Sequence, residues 1–200
     1  MKPDRKEEIA IKALELFALN GYDSTSISDL QYALDMGRGT LYYYFRDKDE
    51  LFTEVMNRFF LTPKQQRLNT LIEQTVTIPE MIQALLSYLY SLQDLLTQFE
   101  NKHVNTSNVV TLMNTAYHRY PELYRKARRI YEKELYLWKR ALQHEMQQGI
   151  IRRDIPVDTM AMMFTHLKDG FDTAKAGVTM DFTAFPQQYN YLYDLLKVKE

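Results

Sequence analysis

Apolar residues recur along the chain at three- and four-residue spacing and almost nowhere alternate in twos, which predicts helices joined by short turns. Over residues 3–20, Ile9, Ala10, Ala13, Leu14, Leu16 and Phe17 make one stripe, with Glu7, Glu8, Lys12 and Glu15 opposite. Asn20-Gly21 stops this helix, since glycine takes the left-handed conformation that a helix end favours. Thr25 or Ser26 caps a second, short helix with Asp29 in its first turn and Ile27, Leu30, Ala33 and Leu34 buried. Asp35-Met36-Gly37 is a tight connection to a very short helix over residues 38–45, and Asp47 caps a fourth helix opened by Lys48. Helices this short are marginal alone, so they need the long helix that follows as a backing, with no flexible linker at residue 50.

From residue 51 to 76 the pattern stays helical, with Pro63 as a break or kink. Ile78-Pro79-Glu80 restarts a helix that carries Met81, Ile82, Leu85, Leu86, Leu89, Leu92, Leu95 and Leu96 inside. Further helices are expected over residues 106–118, 121–148, 156–176 and 185–197, with Gly149 ending the long one and 177–184 as a loop. The predicted fold class is all-α, with a small helical domain over residues 1–50 and a larger helical bundle over 51–200.

Composition narrows the function. At 46% hydrophobic and 26% charged residues, the 200-residue chain can form an ordinary core. The absence of cysteine excludes a disulfide scaffold, a thiolate metal site and a thiol nucleophile. A net charge of −1 excludes a generally basic coat protein and leaves a local basic patch open. The charged start has no apolar signal core, and no uncharged stretch is long enough to cross a bilayer. A soluble, cytoplasmic protein with no membrane partner is therefore expected.

The distinctive motif is Gly39-Thr40-Leu41-Tyr42-Tyr43-Tyr44-Phe45 followed by Asp47-Lys48. With Phe17, Gly21, Tyr22, Thr25, Ile27, Asp29, Leu30, Glu50 and Leu51, it resembles the DNA-binding domain of the TetR family of bacterial transcription regulators. The resemblance covers about a quarter of the chain and implies that the first domain holds a helix-turn-helix. It also implies that the rest is a ligand-binding and dimerisation domain. The chain departs from the family pattern at Gln31, where a small residue is usual, at Asp35, in place of a turn glycine, and at Gly37, in place of a capping serine.

Physical chemistry supports the same reading. A short helix can present its N-terminal residues to base edges in the major groove, and its free N–H groups suit phosphate. Gly39 allows close approach of backbone to DNA, and Thr40 can hydrogen-bond or touch a thymine methyl. Tyr42 and Tyr43 reach phosphates or a base, Arg38 reaches guanine or phosphate, Lys48 clamps a phosphate, and Ser28 reaches the adjacent backbone. Helical spacing turns Tyr44 and Phe45 inward. Residues 1–50 carry seven Lys/Arg against ten Asp/Glu, so non-specific DNA affinity should be modest.

Other groups of residues point elsewhere or nowhere. The basic run over residues 125–129 is interleaved with Glu122, Glu132 and Glu134 and reads as a solvated face. Glu100 and His103 have di-iron spacing, but no second copy accompanies them, so neither metal nor cofactor is expected. No nucleophile elbow, phosphate loop or dinucleotide fingerprint occurs, and no catalytic residue is assigned. Met81, Tyr88, Met113, Tyr117, Trp138, Met162 and His166 are candidates to line an apolar pocket between helices. The helices over 157–176 and 185–197 carry Met160, Phe164, Leu167 and Phe171, and Phe185, Tyr189, Leu192, Leu195 and Leu196. The resemblance implies that this pair forms the interface of a homodimer. The leading expectation is a repressor that binds double-stranded operator DNA and is released by a small apolar or aromatic effector. A regulator controlled by a protein partner is the alternative. A helical enzyme or carrier is disfavoured by the lack of paired carboxylates or metal ligands.

Overall fold

The first helix, α1 (Arg5–Asn20), forms where the apolar stripe predicts it. Ile9, Ala10, Ala13, Leu14 and Phe17 are fully buried. Gly21, at φ +82°, ends it and its N–H donates to the Phe17 carbonyl. The computed structural model describes residues 4–37, 39–99, 104–167 and 184–198. Ser26, rather than Thr25, caps α2 (Ile27–Ala33) in a reciprocal box with Asp29, and Thr25 is buried with its hydroxyl on the Gly21 carbonyl at 2.8 Å. Asp35 takes φ +50° in the following turn, a conformation aspartate reaches more readily than most residues. Gly39 is left-handed at φ +95°, so α3 (Thr40–Tyr44) begins later than the expected start at residue 38.

Asp47 caps α4 (Lys48–Met56), which packs on α1. The helical path then widens into a π turn (Asn57–Leu61) and continues as α5 (Thr62–Ile72). The predicted irregularity at Pro63 takes this form. Proline has no N–H to donate, and the turn ahead of it closes instead through Thr62 N–H to the Asn57 carbonyl.

The body comprises α6 (Ile78–Thr97), α7 (Thr106–Arg119), α8 (Pro121–Gln147), α9 (Val157–His166) and α10 (Ala184–Leu196). α8 is its axis, packed by α5, α6, α7 and α9, while α7 also crosses α1 and α4. A clasp joins Ile151 to Lys197, with Arg152 N–H on the Leu196 carbonyl and Val198 N–H on that of Ile150. No helix among the described residues is long and apolar enough to cross a membrane.

Trp138, Phe164 and Tyr189 are fully buried and stack, tying α8, α9 and α10 together. Phe164→Ala is expected to cost about 3–5 kcal/mol, as for other buried aromatics, read as a lower denaturation midpoint at unchanged slope. This packing corrects part of the proposed interface stripe. Phe164, Phe185, Tyr189 and Leu196 are buried within the protomer, where α9 packs on α8 and α10 on α6. Leu195 of that stripe stays exposed, together with Met162, Met163, Tyr191 and Val198. Phe171 and the 168–176 part of the expected helix lie outside the described residues, as does the loop to residue 183.

Candidate nucleic-acid interface and effector cavity

The helix-turn-helix presents a small set of side chains outward. Leu41 and Phe45 are buried and anchor α3, Tyr44 is half-buried, and Thr40 and Ser28 are exposed. Tyr43 is 85% exposed and meets only the edge of Tyr44, with ring centroids 5.2 Å apart, while Tyr42 is 54% exposed. Tyr32, at the end of α2, is 91% exposed, an aromatic that the sequence reading did not single out. Arg38 lies outside the described residues. Lys6 holds its ammonium 5.0 Å over the Phe45 ring.

Lys48 is engaged inside the protein. Its ammonium donates to the carbonyls of Tyr22 (2.9 Å) and Thr25 (3.0 Å) and sits 4.2 Å over the Tyr22 ring. It is therefore a strut between α4 and the turn after α1, with one N–H left for a phosphate. Several acidic residues of the head are likewise occupied. Asp29 and Asp47 cap helices, and hydrogen bonds hold both below the usual carboxylate range, from Ser26 for Asp29 and first from the Glu50 N–H for Asp47. Glu50 accepts from the Arg46 N–H, and Glu8 pairs with Arg5.

A joint connects this head to the body. The Asp49 carboxylate, in the first turn of α4, accepts from the hydroxyls of both Tyr22 and Tyr120. Tyr120 is the residue between α7 and α8. Those hydroxyls hold Asp49 below its ordinary range, the Tyr120 bond contributing most. Tyr120 itself is pushed far up, by desolvation first and by Asp49 second. Arg119 pairs with Asp23 at 2.9 Å and lies 4.6 Å over the Tyr22 ring. Phe52 fills the centre, 4.6 Å from Tyr22 and 5.5 Å from Tyr120.

Behind the joint is a cavity of about 550 Å³, within the range of small-molecule sites. Its wall includes Leu14 of α1, Phe60 and Leu61 of the π turn, Tyr88, Leu92 and Leu96 of α6, Met113 and Tyr117 of α7, Tyr131 of α8 and Phe185 of α10. Burial pushes the Tyr117 phenol up to about 12. Of the residues expected to line a pocket, Tyr88, Met113 and Tyr117 stand here together. Met81 and Trp138 border a separate void of about 20 Å³ beside Lys64 and Glu134. Met162 is exposed on α9 and lines neither space. His166 is also exposed and reaches the cavity only through Tyr131, whose hydroxyl lies 2.9 Å from its Nε2. Leu14, Phe60 and Leu61 were missed because each reads as ordinary core. Among the described residues no cluster of His, Asp and Glu could hold a metal, and Glu100 and His103 lie outside them.

The described residues thus combine an exposed helix-turn-helix with a cavity-bearing helical bundle. Residues 11–55 match the model of the bacterial regulatory proteins of the tetR family. The chain is 27% identical over 125 residues to the HTH-type transcriptional regulator QacR of Staphylococcus aureus, covering 60% of this chain and 66% of that one. It is 36% identical over 52 residues to AcrR of Shigella flexneri, covering 26% and 24%. The matches thus span from about a quarter to just under two thirds of these relatives' lengths. In fold it is similar to the TetR family regulator PfmR of Thermus thermophilus, with a TM-score of 0.68 at 16% identity over 98% of this chain and 100% of that one. Residues 11–55 thus match the DNA-binding domain of tetR family regulators, and the chain as a whole shares the fold of a solved member of that family.

Proposed function

We propose that the protein is a cytoplasmic repressor whose homodimer reads a near-palindromic operator and is released by a small apolar ligand. Ser28, Arg38, Gly39, Thr40, Tyr42 and Tyr43 face DNA in this reading, and Lys48 adds its remaining N–H to a phosphate. The observation that carries the gating is the shared wall. Leu14 of the head, and Phe60 and Leu61 of the π turn, belong to the same cavity as α6 and α7.

A ligand pressing on that wall shifts α1 against the α4–π–α5 rod and moves α3. Two successive major grooves are read only with recognition helices about 34 Å apart, so a modest tilt suffices. A tenfold loss of operator affinity needs about 1.4 kcal/mol of coupling, and operator must weaken ligand binding by the same factor. The exposed Met162, Met163, Tyr191 and Leu195 support α9 and α10 as the dimer face.

The test is selection of sites from a random DNA pool with purified protein, followed by release assays against a panel of hydrophobic compounds. An enriched inverted repeat lying upstream of a gene, bound by a dimer in light scattering, is expected. A monomer with or without DNA, or no enriched site, overturns the reading.

A further inference from the structure

The cavity wall is chemically one-sided. Among the described residues it carries no aspartate or glutamate but includes two basic side chains, Lys64 and Arg128. Its polar edge otherwise consists of tyrosine hydroxyls, and that of Tyr88 points to the Phe60 carbonyl at 3.4 Å. The Tyr117 phenol, held protonated by burial, is a donor at neutral pH. An occupant therefore meets donors and positive charge where its own polar atoms lie.

The two cations differ in their surroundings. Lys64 pairs at 2.6 Å with Glu134, a carboxylate only 2% exposed, so its charge is answered within the protein. Arg128 lies where the cavity opens, beside the half-exposed Tyr124. Its Nε binds Glu132 one turn along α8 at 3.0 Å, in a pair exposed on both sides. Such pairs contribute little, and the guanidinium, which also meets the Tyr124 hydroxyl, has five N–H donors in a fork suited to a carboxylate.

Taking the cavity as the effector site, we propose that its ligand is an amphipathic anion, with a hydrocarbon body against the Leu, Met and Phe wall and a carboxylate at the mouth on Arg128. A lipophilic cation would bring its charge to Lys64 and Arg128 with no wall carboxylate to receive it. A neutral hydrocarbon alcohol fills the same space and forgoes the Arg128 contact.

The test compares three ligands with one tail, dodecanoate, dodecanol and dodecyltrimethylammonium, below their micellar concentrations, by calorimetric titration of the full-length protein. Dodecanoate is expected to bind about tenfold more tightly than dodecanol, and the cation most weakly. Arg128→Gln should bring dodecanoate to the level of dodecanol without changing dodecanol binding. Arg128→Lys should restore part of the difference, and Glu132→Gln should strengthen dodecanoate by removing its competitor. Binding of dodecanol with no preference for dodecanoate, or a preference for the cation, overturns the ligand class and leaves the cavity as an effector site. A preference that survives Arg128→Gln overturns the assigned head-group contact. Should none of the three bind, and should Met113→Trp leave release by any panel compound unchanged, the effector reading of the cavity falls as well.

Discussion

Tyr43→Ala is expected to lower operator affinity by about two orders of magnitude while leaving the melting temperature where it was. The ring is 85% exposed and buries almost nothing in the free protein, so its removal leaves folding untouched. A phenol hydroxyl on a phosphate is a charge-assisted bond of about 1.5 kcal/mol. A symmetric dimer loses it twice, about 3 kcal/mol in all, or roughly a hundredfold. Lys48→Ala should behave differently. It removes two bonds to carbonyls and a ring contact inside the head as well as a phosphate partner. Both the melting temperature and the affinity should fall, and the salt slope should shrink by about one unit per protomer. Fluorescence anisotropy across a salt series, paired with calorimetric melting, separates the two. A Tyr43→Ala protein that binds its selected operator as well as the parent does would remove α3 from the interface.

The second large effect is expected at the joint. Asp49→Ala should lower stability by about 3 kcal/mol, because it strips the shared acceptor from both Tyr22 and Tyr120. The Tyr22→Phe/Tyr120→Phe double variant should cost roughly 1 kcal/mol more than the sum of the two singles, since each single lets the other hydroxyl keep the carboxylate. Denaturant titration of the single and double variants measures this.

The acid limb supplies an independent check. The native carboxyl is held below its unfolded value, so its contribution is fully present above a pH of about 4. That contribution is lost as pH falls through the native value. Asp49→Asn should flatten that part of the stability profile. Effector-dependent operator release should also weaken towards unity in Asp49→Ala, because α7, which bears the cavity residues Met113 and Tyr117, joins the head through Tyr120. Full release in that variant would exclude the joint from signal transfer.

What the sequence alone determined is the local part of this molecule. The stripe from Ile9 to Phe17, the cap at Asp47 and the stops at Gly21 and Gly149 follow from a 3.6-residue period and from backbone groups left open at helix ends, whereas the choice of Ser26 over Thr25 as the cap of α2 does not. The exposed side chains of α3 were legible too, because the spacing that turns Tyr44 and Phe45 inward turns Tyr42 and Tyr43 away, although Leu41 rather than Tyr44 is the fully buried partner of Phe45. The tertiary structure alone decided which apolar residues surround space and which fill it. Tyr88 and Trp138 both sit on apolar helix faces, yet one borders the cavity and the other is fully buried and stacked with Phe164 and Tyr189. Lys48 reads as a free cation until the Tyr22 and Thr25 carbonyls arrive beneath it. Asp49 and Tyr120 stand 71 residues apart, and nothing local to either names the other. Helix period and capping are properties of neighbouring residues, whereas a cavity, a strut or a joint exists only where distant helices fix the distance between their side chains.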